Sequence, residues 1–235
     1  MFSDRVTARV VGVLFIIASV TSIIGGSLIL PLEDSDPLGE LFQYRNQVRT
    51  GVLFELILVV SVVAIAALLF PVLKRRNEGL AMGYVAARTL EAVVVLAGAA
   101  TAMIAVGLSE PGTPTSALGV DALVAIRHGT LTMGTLILFG VGALVLYTIL
   151  YRGRFVPRWL SLWGLIGAAL ILLRGVLELY GVEMAGWAQA VLAAPIGLNE
   201  LVLAVWLIAK GFTAPLDTLS PPEDPSTAAQ EVPPG

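Results

Sequence analysis

Ionisable and amide side chains occur inside segments of this sequence that are otherwise strongly apolar. In lipid such groups bind protons or polar solutes, or they hold helices together as ion pairs. A charge near the bilayer centre costs about 2.5 to 3.5 kcal/mol, so these side chains must face one another or water. They form the candidate ligand or proton site: Glu55, Arg88, Glu91, Arg127, His128, Arg174, Glu178, Asn199 and Glu200.

Helical spacing predicts which of these side chains interact. Arg88 and Glu91 are three residues apart, and Arg174 and Glu178 are four apart, so each pair shares a helix face. We therefore expect two local ion pairs, one on each of two segments.

A polar stripe is predicted around His128. Asp121, His128, Thr132 and Thr135 follow one another at offsets of seven, four and three residues, which keeps them on one helix face. Arg127 points about 100° away from this face. The stripe and Arg127 are therefore expected to have different neighbours.

The charges inside the apolar segments do not balance. These segments contain four carboxylates, at positions 55, 91, 178 and 200, and only three arginines, at positions 88, 127 and 174. The remaining negative charge could be balanced by a protonated His128, by a protonated glutamate or by a cationic ligand. The alternative is a structural network of ion pairs that fixes helix register and binds no ligand.

The depth of these groups along their helices is uneven. At about 1.5 Å per residue, Glu55, Arg127, His128, Arg174 and Glu178 lie in the extracytoplasmic third. Arg88, Glu91, Asn199 and Glu200 lie near the midplane, and the cytoplasmic third carries almost no charge. The pattern predicts a polar pocket that opens outward and is closed on the cytoplasmic side.

Several kinds of chemistry lack the residues that they need. The chain has no cysteine and one histidine, so we expect no metal site and no cofactor. Its net charge is −3 and no basic face is interleaved with aromatics, which argues against nucleic-acid binding. A hydrolase would need a nucleophile beside a base, and only Thr130, Thr132 or Thr135 near His128 qualifies, so the sequence favours a non-enzyme with no assigned catalytic residue.

The elements that must position these groups are transmembrane helices. Hydrophobic residues make up 57% of the 235 residues and charged residues 13%, whereas soluble chains are about one-quarter charged. Apolar segments long enough to cross about 30 Å of hydrocarbon recur six times. The sequence therefore predicts an all-α bundle of six membrane-spanning helices, at about 8–30, 48–73, 80–108, 120–151, 157–180 and 187–212.

Basic residues in the loops predict the orientation. Lysine and arginine resist translocation, and they concentrate on one side of the predicted bundle, at Arg5, Arg9, Lys74, Arg75, Arg76, Arg152, Arg154, Arg158 and Lys210. Both termini are therefore expected in the cytoplasm. The remaining segment, 213–235, is rich in proline and acidic residues and is predicted to be a disordered cytoplasmic tail.

Three stretches resemble a known bacterial family. They are RTLEAVVV, LYRGRFVPRWLSLWGLIGA and IGLNELVLAVWLIAKGF, and they resemble the multi-pass membrane family termed domain of unknown function 4386. The resemblance runs from about Arg5 to Phe212 and covers Arg88 with Glu91, the basic loop Arg154 through Arg158, and Glu200. It implies a six-helix protein of the bacterial inner membrane and no particular activity.

Three functional hypotheses remain open from the sequence. The first is a protein that binds or transports a small molecule or ion, proton included, through the outward-opening pocket. The second is a membrane sensor or assembly partner in which the ion pairs are structural, and the third is an intramembrane enzyme acting on lipid. Membrane lipid is the expected surrounding in every case, and the oligomeric state is left open.

Overall fold

Long apolar helices account for nearly all of the structure. The computed structural model describes residues 4–29, 41–110 and 117–213. Helix makes up 87% of these residues, which contain no strand. Six helical segments are long and apolar enough to cross a membrane, as the sequence predicts. They are α1 (Asp4–Ile29), α2 (Arg45–Leu73), α3 (Glu78–Leu108), α4 (117–153), α5 (Arg158–Leu179) and α6 (Gly186–Ala209).

The helices form a closed ring in chain order. Each helix packs on the next one along the chain, from α1 through α6, and α6 packs back on α1. All six contribute to one buried apolar cluster inside the ring, with Phe15, Ile65, Tyr147, Ile171 and Leu203 among its members. This interior brings together side chains that are far apart in sequence.

Contacts between helix ends show that neighbouring helices run antiparallel. Arg75, after α2, pairs with Asp4 at the start of α1 at 2.6 Å, so these two termini share one end of the bundle. At the opposite end Arg49, near the start of α2, lies 3.5 Å from Glu110, which follows α3. We term the first end the basic end, because it gathers the basic loop residues named above, and the second the pocket end.

The helix α4 changes its hydrogen-bond pattern partway along. It is an α-helix over Ala117–Leu131, a π-helix over Thr132–Leu138 and an α-helix again over Phe139–Gly153. A π-helix inserts an extra residue per turn, occurs mostly in short stretches and is frequent at functional sites. The hydropathy pattern does not reveal this interruption, because all three parts are apolar.

The outer surface of the ring is apolar. Ile23 on α1 is 71% exposed, Val60 on α2 is 68% exposed, and Val191 and Val205 on α6 are each 60% exposed. Such a surface is unfavourable in water and suits contact with lipid tails. Together with the six apolar helices, it indicates a membrane protein.

The predicted cytoplasmic tail lies almost entirely outside the described residues. Only its first residue, Thr213, is described, and its backbone N–H donates to the carbonyl of Phe155 at 2.8 Å. This bond ties the end of α6 to the loop before α5 at the basic end.

Candidate functional site

The predicted site residues separate into three groups rather than one. The first is the outer pocket, defined by His128, Arg174 and Glu178. The second is the closed pair, Glu55 with Arg127. The third is the central cluster, made of Tyr84, Arg88, Glu91, Tyr147 and Glu200, and Asn199 lies apart from all three.

The outer pocket lies between α4, α5, α6 and the loop that joins the last two. Its volume is about 690 Å³. Three residues of the predicted polar stripe line this pocket: His128, Thr132 and Thr135. Asp121, the fourth member of that stripe, is exposed and is not part of the lining. The stripe thus forms one wall of a pocket that α5 and α6 complete.

Arg174 is the central charged group of the outer pocket. Its Nε donates to the Glu178 carboxylate at 2.8 Å, one helical turn along α5, as the spacing predicts. Its Nη2 donates to Oε1 of Gln189 on α6 at 3.0 Å, and the Gln189 amide in turn donates to the carbonyl of Met184. The guanidinium is thereby oriented by two helices and one loop.

We term Leu136, the lining residue of α4 that is nearest the basic end, the floor of the outer pocket, and it lies in the π-helical part of α4. Leu136 lines the pocket and also packs against α5, where a Cβ added to Gly175 would lie 2.8 Å from the Cβ of Leu136. On the opposite face, a Cβ at Gly134 would lie 3.2 Å from Val94 of α3. Two glycines therefore let α3 and α5 approach this segment closely, as small residues do between membrane helices.

The closed pair joins α2 to α4. Both nitrogens of the Arg127 fork donate to the Glu55 carboxylate, with Nη1 to Oε2 at 3.0 Å. Arg127 is 1% and Glu55 4% exposed, and neither lines the outer pocket. A Cβ at Gly98 of α3 would lie 2.6 Å from Oγ1 of Thr130 and 3.0 Å from Nη1, so the glycine lets α3 pack closely over the guanidinium. A two-pronged, buried pair of this kind fixes the register of two helices.

The central cluster is built on Arg88. Its Nη1 lies 2.9 Å from the Glu91 carboxylate, three residues along α3, and both side chains are buried. The guanidinium also lies over the ring of Phe139, 5.3 Å from its centroid. A Cβ at Gly142 would lie 3.3 Å from the Cδ of Arg88, so α4 again approaches through a glycine.

Glu200 reaches this cluster from α6. It interacts electrostatically with Arg88, Tyr84, Tyr147 and Glu91, which come from α3 and α4. Arg88 lies ten residues from Glu78 at the start of α3, and Glu200 nine residues from Ala209 at the end of α6. At about 1.5 Å per residue both lie about 15 Å from the basic end, near the middle of the predicted membrane core.

Asn199 belongs to the interface of α5 and α6. Its side-chain amide donates to the carbonyl of Leu160 at 2.9 Å, and the residue is fully buried. A hydrogen bond from one helix to the backbone of another is a packing contact typical of membrane bundles. Asn199 therefore contributes to the packing of α5 against α6.

The outer pocket and the central cluster are close neighbours along α4. Leu136 lines the pocket, and Phe139, three residues further along, covers Arg88. About one helical turn of apolar side chains therefore separates them.

Sequence reasoning missed the aromatic members of the central cluster. Tyr84 and Tyr147 are 1% and 0% exposed, and isolated tyrosines in an apolar segment are indistinguishable from core residues. For Tyr84 a signal existed, because it precedes Arg88 by four residues and so shares its helix face. For Tyr147 and Phe139 no local signal was available, since their partner lies on another helix.

Comparison with known proteins gives a family and no function. The family model described as domain of unknown function, DUF4386, matches residues 10–211, which is most of the chain. No curated protein and no solved structure matches the chain. The residues of the outer pocket, the closed pair and the central cluster all fall within the matched range. The chain therefore belongs to the DUF4386 family.

Proposed function

We propose that the chain binds a small polar molecule in the outer pocket. The observation that carries this proposal is the pocket itself, about 690 Å³ in volume and lined by His128, Thr132, Thr135, Arg174, Glu178 and Gln189. Ligand pockets typically measure about 300 to 1,000 Å³ and hold a few polar groups among apolar ones. Ionisable residues inside a membrane bundle commonly mark such sites.

The lining favours a ligand with both donor and acceptor groups. The guanidinium of Arg174 has five N–H donors. Two of them bond to Glu178 and Gln189. The remaining donors suit an oxygen of the ligand. His128 and the hydroxyls of Thr132 and Thr135 can donate or accept, and the carboxylates of Glu178 and Glu183 suit an amine. An amino-acid-like or amine-bearing solute satisfies these conditions.

We further propose that the protein resides in a bacterial inner membrane with the outer pocket on the extracytoplasmic side. The basic end would then face the cytoplasm, as the retention of lysine and arginine predicts. This orientation is supported by the sequence pattern, and it gives the pocket access to solutes outside the cell. Transport would additionally require the floor at Leu136 and Phe139 to open toward the basic end.

The proposal is tested by ligand-dependent thermal stability of the purified full-length chain in detergent. A panel of amino acids, amines and sugars would be screened, and a solute present at 100 times its Kd should stabilise by about 2.7 kcal/mol. Thr135→Trp fills the pocket and should abolish the effect. Thr89→Trp, at an exposed threonine of α3, is the matched control and should retain it.

If a solute stabilises Thr135→Trp as strongly as it stabilises the unaltered protein, it binds elsewhere. If no solute of the panel distinguishes Thr135→Trp from Thr89→Trp, the outer pocket does not bind this class of ligand.

A further inference from the structure

The ion pairs of the bundle identify one carboxylate that has no arginine of its own. Arg127 pairs with Glu55, Arg174 with Glu178 and Arg88 with Glu91. Within the described residues Glu200 forms no hydrogen bond and no ion pair. The positive charge of Arg88 acts on its carboxylate without a direct contact. The excess negative charge that the sequence predicts is therefore located at Glu200.

Among the described residues, Arg88 is the one cation that faces Glu200. The groups that face it are Arg88, Glu91 and Tyr84 on α3 and Tyr147 on α4. The two helices packed against α6, which are α1 and α5, carry no ionisable side chain over 10–29 and 159–173. The guanidinium of Arg88 is thus shared by two carboxylates, those of Glu91 and Glu200, inside an apolar bundle.

Unpaired polar atoms provide independent evidence that the central cluster is incomplete. Tyr147 is fully buried, and its hydroxyl has no hydrogen-bond partner among the described residues. The same holds for Nε of Arg88 and for Oε2 of Glu91, which meets Arg88 at 2.9 Å outside hydrogen-bond geometry. Buried polar atoms without partners are costly. Three of the seven such atoms in the described residues belong to side chains that interact electrostatically with Glu200, which indicates a site that is completed by something else.

We propose that the central cluster binds one exchangeable proton, carried by Glu200 while Arg88 neutralises Glu91. With both carboxylates ionised the cluster would hold a net negative charge in the membrane core, which is strongly unfavourable. A proton taken from water removes that charge and forms an O–H on Glu200, a new donor for a neighbouring acceptor such as the hydroxyl of Tyr147. On deprotonation the proton returns to water. This inference does not depend on ligand binding in the outer pocket.

Infrared spectroscopy of the full-length protein in lipid nanodiscs tests the proposal. A carboxylic acid and a carboxylate absorb at different frequencies, so the carbonyl band of a protonated glutamate can be followed between neutral and alkaline pH. We expect one such band at neutral pH in the unaltered protein and its loss at alkaline pH. Glu200→Gln should lack the band, because Arg88 then neutralises Glu91 alone.

Two further variants keep the test decisive. Glu91→Gln should also lack the band, because Glu200 then has Arg88 to itself and ionises. Glu178→Gln, in the outer pocket, is the matched control and should keep it. A band at neutral pH that survives in Glu200→Gln would overturn the proposal, because another group would then carry the proton. The absence of the band from the unaltered protein at neutral pH would also overturn it, and a sodium-dependent stabilisation that Glu200→Gln abolishes would then show that the cluster binds a metal cation instead.

Discussion

The closed pair and the central cluster use the same residue types in opposite ways. Glu55 and Arg127 meet through two parallel hydrogen bonds, and each carboxylate oxygen has a partner. In the central cluster Arg88 contacts Glu91 through one nitrogen and also faces Glu200, and the Glu200 carboxylate has no hydrogen bond or ion pair among the described residues. Matched charges form a closed contact between two helices, whereas the unmatched carboxylate is the group that we propose changes its protonation. A charged residue inside an apolar helix can therefore indicate either a matched structural pair or an unmatched group.

The closed pair and the central cluster also differ in the helices that they join. The closed pair joins α2 and α4 beneath a glycine of α3, and neither of its residues lines the outer pocket. The central cluster joins α3, α4 and α6 and lies one turn of α4 from the pocket floor. A structural role suits the first, and a role in binding suits the second.

The largest stability effect is expected at the closed pair. Glu55→Ala or Arg127→Ala leaves a buried charge without its partner and should lower the free energy of unfolding by about 3 to 5 kcal/mol. Removing both should cost much less than the sum of the two losses, because neither charge remains. Unfolding in mixed micelles by titration with a denaturing detergent measures this, and additive losses would show that the two groups do not interact.

A smaller effect is expected in the central cluster. Glu91→Ala frees Arg88 to pair with Glu200, so the free energy of unfolding should fall by about 1 to 3 kcal/mol. The combined change Arg88→Ala and Glu91→Ala should again cost less than the sum, measured in the same titration. A loss at Glu91 equal to or larger than the loss at Glu55 would contradict the distinction between the two regions.

The smallest effect is expected at the basic end. Asp4 and Arg75 form a pair at 2.6 Å, but their side chains are 51% and 52% exposed. Asp4→Asn should therefore lower the free energy of unfolding by about 1 kcal/mol or less, and salt should weaken the contribution further. A loss that is insensitive to salt would indicate that the contact has a role beyond its charge.

The sequence predicts the fold well because the bilayer imposes it. A span of about 20 apolar residues satisfies its backbone only as a helix, so hydropathy alone identifies six of them. The π-helix over Thr132–Leu138 is not predictable in this way. Its closest neighbours are Val94 of α3 at Gly134 and Gly175 of α5 at Leu136, and such tertiary contacts do not appear in a hydropathy pattern.

The candidate site is predictable where its contacts are local. Arg174 with Glu178 and Arg88 with Glu91 follow from helical periodicity, and both pairs are present. The pairing of Arg127 with a glutamate 72 residues away does not, because no periodicity links two helices. For the same reason the sequence shows that one carboxylate is in excess but cannot show which one.

The most direct test of the account is the accessibility of the outer pocket from each side of the membrane. The chain contains no cysteine, so single cysteines at Thr135, in the pocket, and at Leu144, nine residues nearer the basic end, report without background. Both would be exposed to a membrane-impermeant thiol reagent in right-side-out and in inverted vesicles. We expect Thr135→Cys to react in right-side-out vesicles only and Leu144→Cys to react in neither. Reaction of Thr135→Cys only in inverted vesicles, or rapid reaction of Leu144→Cys from either side, would contradict a pocket that opens outward and is closed toward the basic end.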